Sequence, residues 1–261
     1  MSREWNRNGT GVETSAAAVP NERASDGHSL HEPVLHGHAF GALAFDDVDR
    51  DVLHLHDVEV TVVGAGRAGS MIALVCGMLG IAVRVYDADR LGPENQGLQV
   101  YRKKDVVAGR HKVHALRGLV QSIAPAAPVR VHEVMFEARA DQPCSPIVIV
   151  AVDTMETRRR LWNALKDQPG VLRVLDVRLG RALVQLHDVR PQAPDDVSTY
   201  EASLYDDAAA AADDCTDEAT SHAAAAAAAL VGGAVRAFVE GLARPRFIGL
   251  DVDRALWTVG R

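Results

Sequence analysis

An α/β fold is predicted, with a mostly parallel sheet flanked by helices and an antiparallel extension in the C-terminal half. Three observations predict it. Between Glu59 and Leu165, short β-branched runs alternate with stretches of helical length and period, as βα units do. The glycine turn Gly64-Ala65-Gly66-Arg67-Ala68-Gly69 joins the first such run to the first helical stretch. Near the end, Phe247 to Leu250 and Ala255 to Val259 alternate around Asp251 to Arg254, which suits a hairpin.

At 261 residues the chain can hold one large domain with an extension. Residues 1–33 are polar, with scattered Gly, Ser, Asn and Pro, and read as a flexible N-terminal arm. Residues 34–261 read as the folded domain. His28, His31, His36 and His38 cluster around this boundary, but no cysteine or compact carboxylate set accompanies them, so a solvated tail is expected rather than a metal site. The net charge of −7 speaks against a nucleic-acid partner. Cys76, Cys144 and Cys215 form no C-x-x-C pair. This excludes a Cys₄ zinc site within the chain and suits a reducing, cytoplasmic setting. No secretory signal is visible, and the Ala-rich run Ala223 to Ala234 is read as too short to cross a membrane.

Val34 to Val58 carries apolar patches that fit strands or a helical turn equally. Val60, Val62 and Val63 then form a buried-strand run. Gly64 permits the tight turn, Gly66 lets a phosphate approach the backbone, and Gly69 lets helix and strand pack closely. The helix start offers unpaired N–H groups to an anion. Gly80 ends that helix, and Ile81, Val83 and Val85 form a second strand that stops at Asp87. A carboxylate roughly 20 residues past the glycines can accept hydrogen bonds from a ribose. This stretch is a Rossmann-like nucleotide-binding fingerprint, and taken alone it serves NAD or ATP equally.

Arg90 to Lys112, with Gly92, Pro93 and Gly97, reads as a loop, either a solvated crossing or a basic lid over phosphates. Val113 to Ile123 has helical period, and Val129 to Val131 starts a strand. Pro146 to Val152 reads as a central buried strand ending at Asp153, with Thr154 capping the next helix. Val171 to Leu175 and Ala182 to Val189 read as strands, and Arg190 to Asp214 as a second loop-rich stretch. A long helix is expected from Ala219 to about Leu242.

One ordered set of residues resembles a known family. It comprises GAGRAGS at Gly64 to Ser70, Asp87 and Asp89, Asn95, Gln99 and Lys112. It continues with Ala151-x-Asp153, Arg158, the D-x-R-x-G of Asp176 to Gly180, and Cys215 before a small-residue helix. Over about Val58 to Leu242 this resembles the ThiF/MoeB/HesA superfamily, bacterial relatives of ubiquitin-activating enzymes, in its short form without a zinc module. The resemblance implies binding of ATP and Mg²⁺, and adenylation of the C-terminal carboxylate of a ubiquitin-like or sulfur-carrier protein, or of a peptide. It implies that Gly64, Ala65, Gly66 and Gly69 form the phosphate turn, and that Asp87 and Asp89 are the acidic pair, the first on the ribose. Asn95, Gln99 and Lys112 would complete the nucleotide contacts, Asp153 would hold the metal, and Cys215 would serve a later thioester or persulfide step. A homodimer is also implied.

The family arginine of the Asn95–Gln99 segment is replaced by Leu98, with Arg67 and Arg102 as possible substitutes. That replacement supports an alternative, a catalytically impaired nucleotide-binding partner subunit. An NAD-dependent oxidoreductase is the second alternative, because Asp87 suits an NAD ribose. The second acid, the lysine and Asp153 have no role in hydride transfer.

Overall fold

The computed structural model describes residues 54–205 and 221–260. The arm expected over residues 1–33 and Cys215 lie outside the described residues.

The described residues build one eight-stranded sheet between two helical layers. The strands are β1 (Glu59–Val63), β2 (Ala82–Tyr86), β3 (Val129–His132), β4 (Ile147–Val150), β5 (Arg173–Leu179), β6 (Leu183–Val189), β7 (Phe247–Asp251) and β8 (Leu256–Gly260). Their order is β3-β2-β1-β4-β5-β6-β7-β8. From β3 to β5 all neighbours are parallel, and from β5 to β8 all are antiparallel. The chain leaves β1 for β2 and β3 on one side, then returns to lay β4 on the other. The C-terminal ends of β1 and β4 therefore flank a topological switch point, where open α/β sheets bind ligands.

The central strands are apolar on both faces. In β4, Ile147 and Ile149 join one core, while Val148 and Val150 join the other. The first core packs under α1 (Arg67–Met78), α3 (Lys112–Ile123) and α6 (Ser221–Val239). The second contains Leu161, Trp162 and Leu165 of α4 (Met155–Leu165) and Tyr200 of α5 (Pro194–Ala202). Thr61 is the fully buried polar residue of β1. It is buried, donates to Ser145 Oγ at 3.0 Å and accepts from Ser145 N at 2.8 Å, so the sheet keeps its hydrogen-bond balance.

Three expectations change. The stretch Arg90 to Lys112 is not all loop: it holds a 3-10 turn (Pro93–Asn95) and the short helix α2 (Lys103–Val107). Buried Asp105 ties α2 to Arg102 at 2.8 Å and Arg110 at 2.9 Å, side-chain pairing that no apolar period announces. The stretch Arg190 to Asp214 contains α5, started by Pro194 at its first turn and held by buried Tyr200. Finally, α6 is 19 residues long with a mean hydropathy of 1.5, enough by length and composition to cross a membrane. Its alanines and valines instead pack against α1 and the sheet, as a core helix does.

Candidate nucleotide site

The glycine turn is built from its backbone outward. Gly64 has φ +94°, and a Cβ there would lie 2.6 Å from Ala151 O. A Cβ on Gly69 would lie 1.9 Å from Gly64 O. Both glycines are thus required for the strand, turn and helix to approach. Gly66 is different: a Cβ there would meet nothing within 4 Å. It is the N-cap of α1, and its open side faces the cleft.

The turn is locked from two directions. Ala65 N donates to Asp87 Oδ2 at 2.6 Å, and Tyr101 Oη donates to Ala65 O at 2.5 Å. The other oxygen of Asp87 accepts from Asp89 N at 2.8 Å. Asp87 therefore couples the end of β2 to the glycine turn while still lining the cleft. Lys112 opens α3, and its ammonium rests on Asp89 at 2.7 Å. Lys112 is largely buried, whereas Asp89 is exposed, with side-chain accessibilities of 12% and 65%. The lysine is placed and its counter-ion is solvated, so an anionic ligand can take the carboxylate's position at small cost.

These groups border one cleft of about 500 Å³ at the switch point, within the usual size range of small-molecule sites. Gly64, Gly66, Asp87, Asp89, Gln99, Lys112 and Asp153 all line it. Gln99 Oε1 is buried there with no hydrogen-bond partner, an orphaned acceptor that a ligand hydroxyl or amine would satisfy. Asp153 is exposed and directly precedes Thr154, whose hydroxyl accepts from Thr157 N to cap α4. Ala65 and Gly69 stand behind the lining as packing residues. Asn95 does not line the cleft; its side-chain carbonyl accepts from Gly92 N at 2.8 Å and shapes the loop.

Of the two arginines offered as substitutes at Leu98, Arg67, in the first turn of α1, borders the cleft. Arg181, in the turn between β5 and β6, also borders it and escaped sequence reading. Arg102 does not line it and pairs with Asp105. Met135 and Phe136, from the connection between β3 and β4, add an apolar wall. Phe136 leans on Tyr86, with ring centroids 4.8 Å apart. The apolar run Val134-Met135-Phe136 in an otherwise polar connection is the sequence signal for this wall.

Behind the cleft sits a buried ionic network. Asp176 bonds Arg158, Arg178 Nε at 2.8 Å and Tyr200 Oη at 3.1 Å. Burial opposes its charge, but Arg158 and Arg178 outweigh that and hold its carboxyl below the ordinary range. Arg158 also donates to Val152 O and forms part of the cleft wall. Asp176 and Arg178 of the D-x-R-x-G segment thus act as support, and Gly180 reaches the lining.

The polar groups fit a nucleoside triphosphate: a backbone cradle at Gly66 and a placed ammonium at Lys112 for phosphate oxygens, and the orphaned acceptor Gln99 Oε1 for a ligand hydroxyl or amine. Among the described residues, no group of three or more His, Cys, Asp and Glu side chains can hold a metal. A magnesium ion needs no such cage, since one carboxylate plus substrate phosphates suffices, and Asp153 is an exposed carboxylate of the lining.

Comparison with known proteins agrees with the fold. No curated protein matches the chain by sequence. The selenomethionine form of PaaA superposes with a TM-score of 0.59 at 19% identity, covering 78% of this chain and 72% of that one. E. coli MccB with selenomethionine MccA gives 0.60 at 16% identity, covering 79% and 65%. The ATP complex of E. coli MccB gives 0.58 at 16%, covering 79% and 64%. The chain thus spans just under two thirds of the length of MccB. The ThiF family model matches residues 42–235, the stretch that carries the glycine turn, the acidic pair, Lys112, Asp153 and the buried network, and the chain belongs to the ThiF family.

Proposed function

We propose that this chain is an ATP-dependent adenylyltransferase that activates the C-terminal carboxylate of a peptide, or of a ubiquitin-like or sulfur-carrier protein. The observation that carries this reading is the convergence of Gly66, Gln99, Lys112 and Asp153 on one cleft at the switch point. The crystallised ATP and MccA complexes of MccB support it by likeness of fold.

The reaction is attack of a carboxylate oxygen on the α-phosphorus. A new P–O bond forms, the bond to the β-phosphate oxygen breaks, and pyrophosphate leaves. Such a step depends on charge neutralisation and in-line placement. The N-terminus of α1 at Gly66 receives phosphate oxygens. Lys112 exchanges Asp89 for the phosphates. Asp153 would hold Mg²⁺, which when bound would supply further positive charge near the phosphates. Asp87 orients the ribose, and Met135 and Phe136 shield the base. Arg67 and Arg181 provide guanidinium groups in the cleft that lacks one at Leu98. A homodimer in the cytoplasm, and transfer of the activated acyl group to Cys215 with loss of AMP, complete the proposed cycle.

The test is ATP–pyrophosphate exchange with full-length protein, magnesium and candidate carriers or peptides. The wild type exchanges label, and Asp153→Ala loses on the order of 100-fold in rate while keeping its circular dichroism spectrum. Full activity in Asp153→Ala would remove it from the metal site. Leu98 favours a second reading, a nucleotide-binding partner subunit. ATP binding without exchange on any substrate is the outcome that selects it. Tight NAD binding without ATP binding would sink both. In Cys215→Ala, exchange persists and a covalent carrier adduct disappears.

A further inference from the structure

A second, smaller cavity of about 170 Å³ lies at the opposite end of the sheet from the nucleotide cleft. Arg173 and Ile147, the first residues of β5 and β4, border it, as does Phe238 near the C-terminal end of α6. Its polar lining is four arginines, Arg173, Arg190, Arg244 and Arg246, against two acids, Asp188 and Asp196. The acids are already engaged. Asp196 is buried and accepts from Arg190 Nε at 2.7 Å and pairs with Arg246 Nε at 2.7 Å. Asp188 pairs with Arg173 at 3.1 Å.

Arg244 is left over. It is half-buried and makes no hydrogen bond or close ion pair among the described residues, feeling only the longer-range attraction of Asp188. Four fixed positive charges therefore face two negative ones. Three of the guanidinium groups are oriented in advance, Arg173 also lying 5.8 Å over the Phe238 ring. Preorganised guanidinium groups around a small recess recognise tetrahedral oxyanions.

We propose that this cavity binds a single small dianionic oxyanion, inorganic phosphate being the reference ligand, with Arg244 as its principal contact. The charge excess of the lining matches a dianion. The volume, about a third of the nucleotide cleft, admits one such group and not a nucleotide.

The experiment is titration of the full chain with phosphate at fixed ionic strength, followed by melting temperature and by ³¹P line broadening. A ligand held by the native state alone raises the melting temperature. Phosphate is expected to do so in the wild type and in Lys112→Ala, which alters only the nucleotide cleft. Arg244→Gln, which breaks no bond among the described residues, should bind about tenfold more weakly and lose the broadening. The proposal is overturned if Arg244→Gln responds like the wild type. It is also overturned if Lys112→Ala abolishes the response, which would place phosphate in the cleft. Acetate acting as strongly as phosphate would refute the dianion preference.

Discussion

Gly66 and Gly69 stand three residues apart in one turn, yet they answer to different demands. A methyl group on Gly69 collides with the Gly64 carbonyl, whereas one on Gly66 projects into open cleft. Gly69→Ala should therefore unfold or strongly destabilise the chain, by about 3 kcal/mol or more, since backbone cannot yield as a flexible side chain does. Gly66→Ala should melt near the wild-type temperature but bind ATP at least tenfold more weakly. Differential scanning fluorimetry with and without ATP checks both, and equal melting of the two variants would contradict the assignment. His187 carries a second residue-scale prediction. It is buried, with Nε2 unpartnered, and burial with the nearby Arg178 lowers its pKa from an ordinary 6.5 to about 4, against the opposing pull of Asp176. The unfolded chain thus binds more protons between these values, and stability is lost as pH falls from about 6.5 toward 4. His187→Gln should flatten this acid loss by an amount on the order of 2–3 kcal/mol in unfolding free energy. An unchanged slope in urea titrations at pH 7 and pH 5 would show that other groups govern it.

Among the elements, those with an apolar period were legible. The strands at Val60, Val83 and Ile147 and the helices at Val113 and after Thr154 fall where their residues predict. The elements that went unseen, α2 and α5, are held by polar or single-residue anchors: Asp105 between two arginines, and Tyr200 on Asp176. Such anchors depend on partners far along the chain, so no local pattern shows them. The same reason hid Arg181, which reaches the cleft only because β5 runs on to Leu179 and turns there. Conversely, Asn95 looked like a ligand contact by its place in a motif, and its carboxamide serves the Gly92 turn. Thr154 is a case where a sequence signal maps directly onto energy. It caps α4 beside Asp153, so Thr154→Ala should cost about 1 kcal/mol. It should also loosen the backbone that presents Asp153, so chemical denaturation and exchange rate should both fall. A stability loss with unchanged exchange would separate the cap from the site.

Across the whole molecule, a parallel half that carries the candidate cleft and an antiparallel half that extends share one sheet, and the core on one face of it runs without a break from Val58 to Leu250 in β7. Asp176 is the joint. Its strand, β5, pairs parallel with β4 on one side and antiparallel with β6 on the other, and its carboxylate gathers Arg158 from α4, Arg178 from its own strand and Tyr200 from α5. Asp176→Asn would leave two buried guanidinium groups facing a neutral amide, a change of about 3 kcal/mol or more. Because the core is continuous, the loss should appear in a single transition. Urea unfolding followed by tryptophan fluorescence, with Trp162 in α4 and Trp257 exposed in β8, should coincide with far-ultraviolet circular dichroism, at a lower midpoint than in the wild type. Two separated transitions would mean that the antiparallel half folds on its own. Since Arg158 also walls the nucleotide cleft, the same substitution should weaken ATP binding. A variant that loses stability but keeps full ATP affinity would show that the network supports the fold without setting the site.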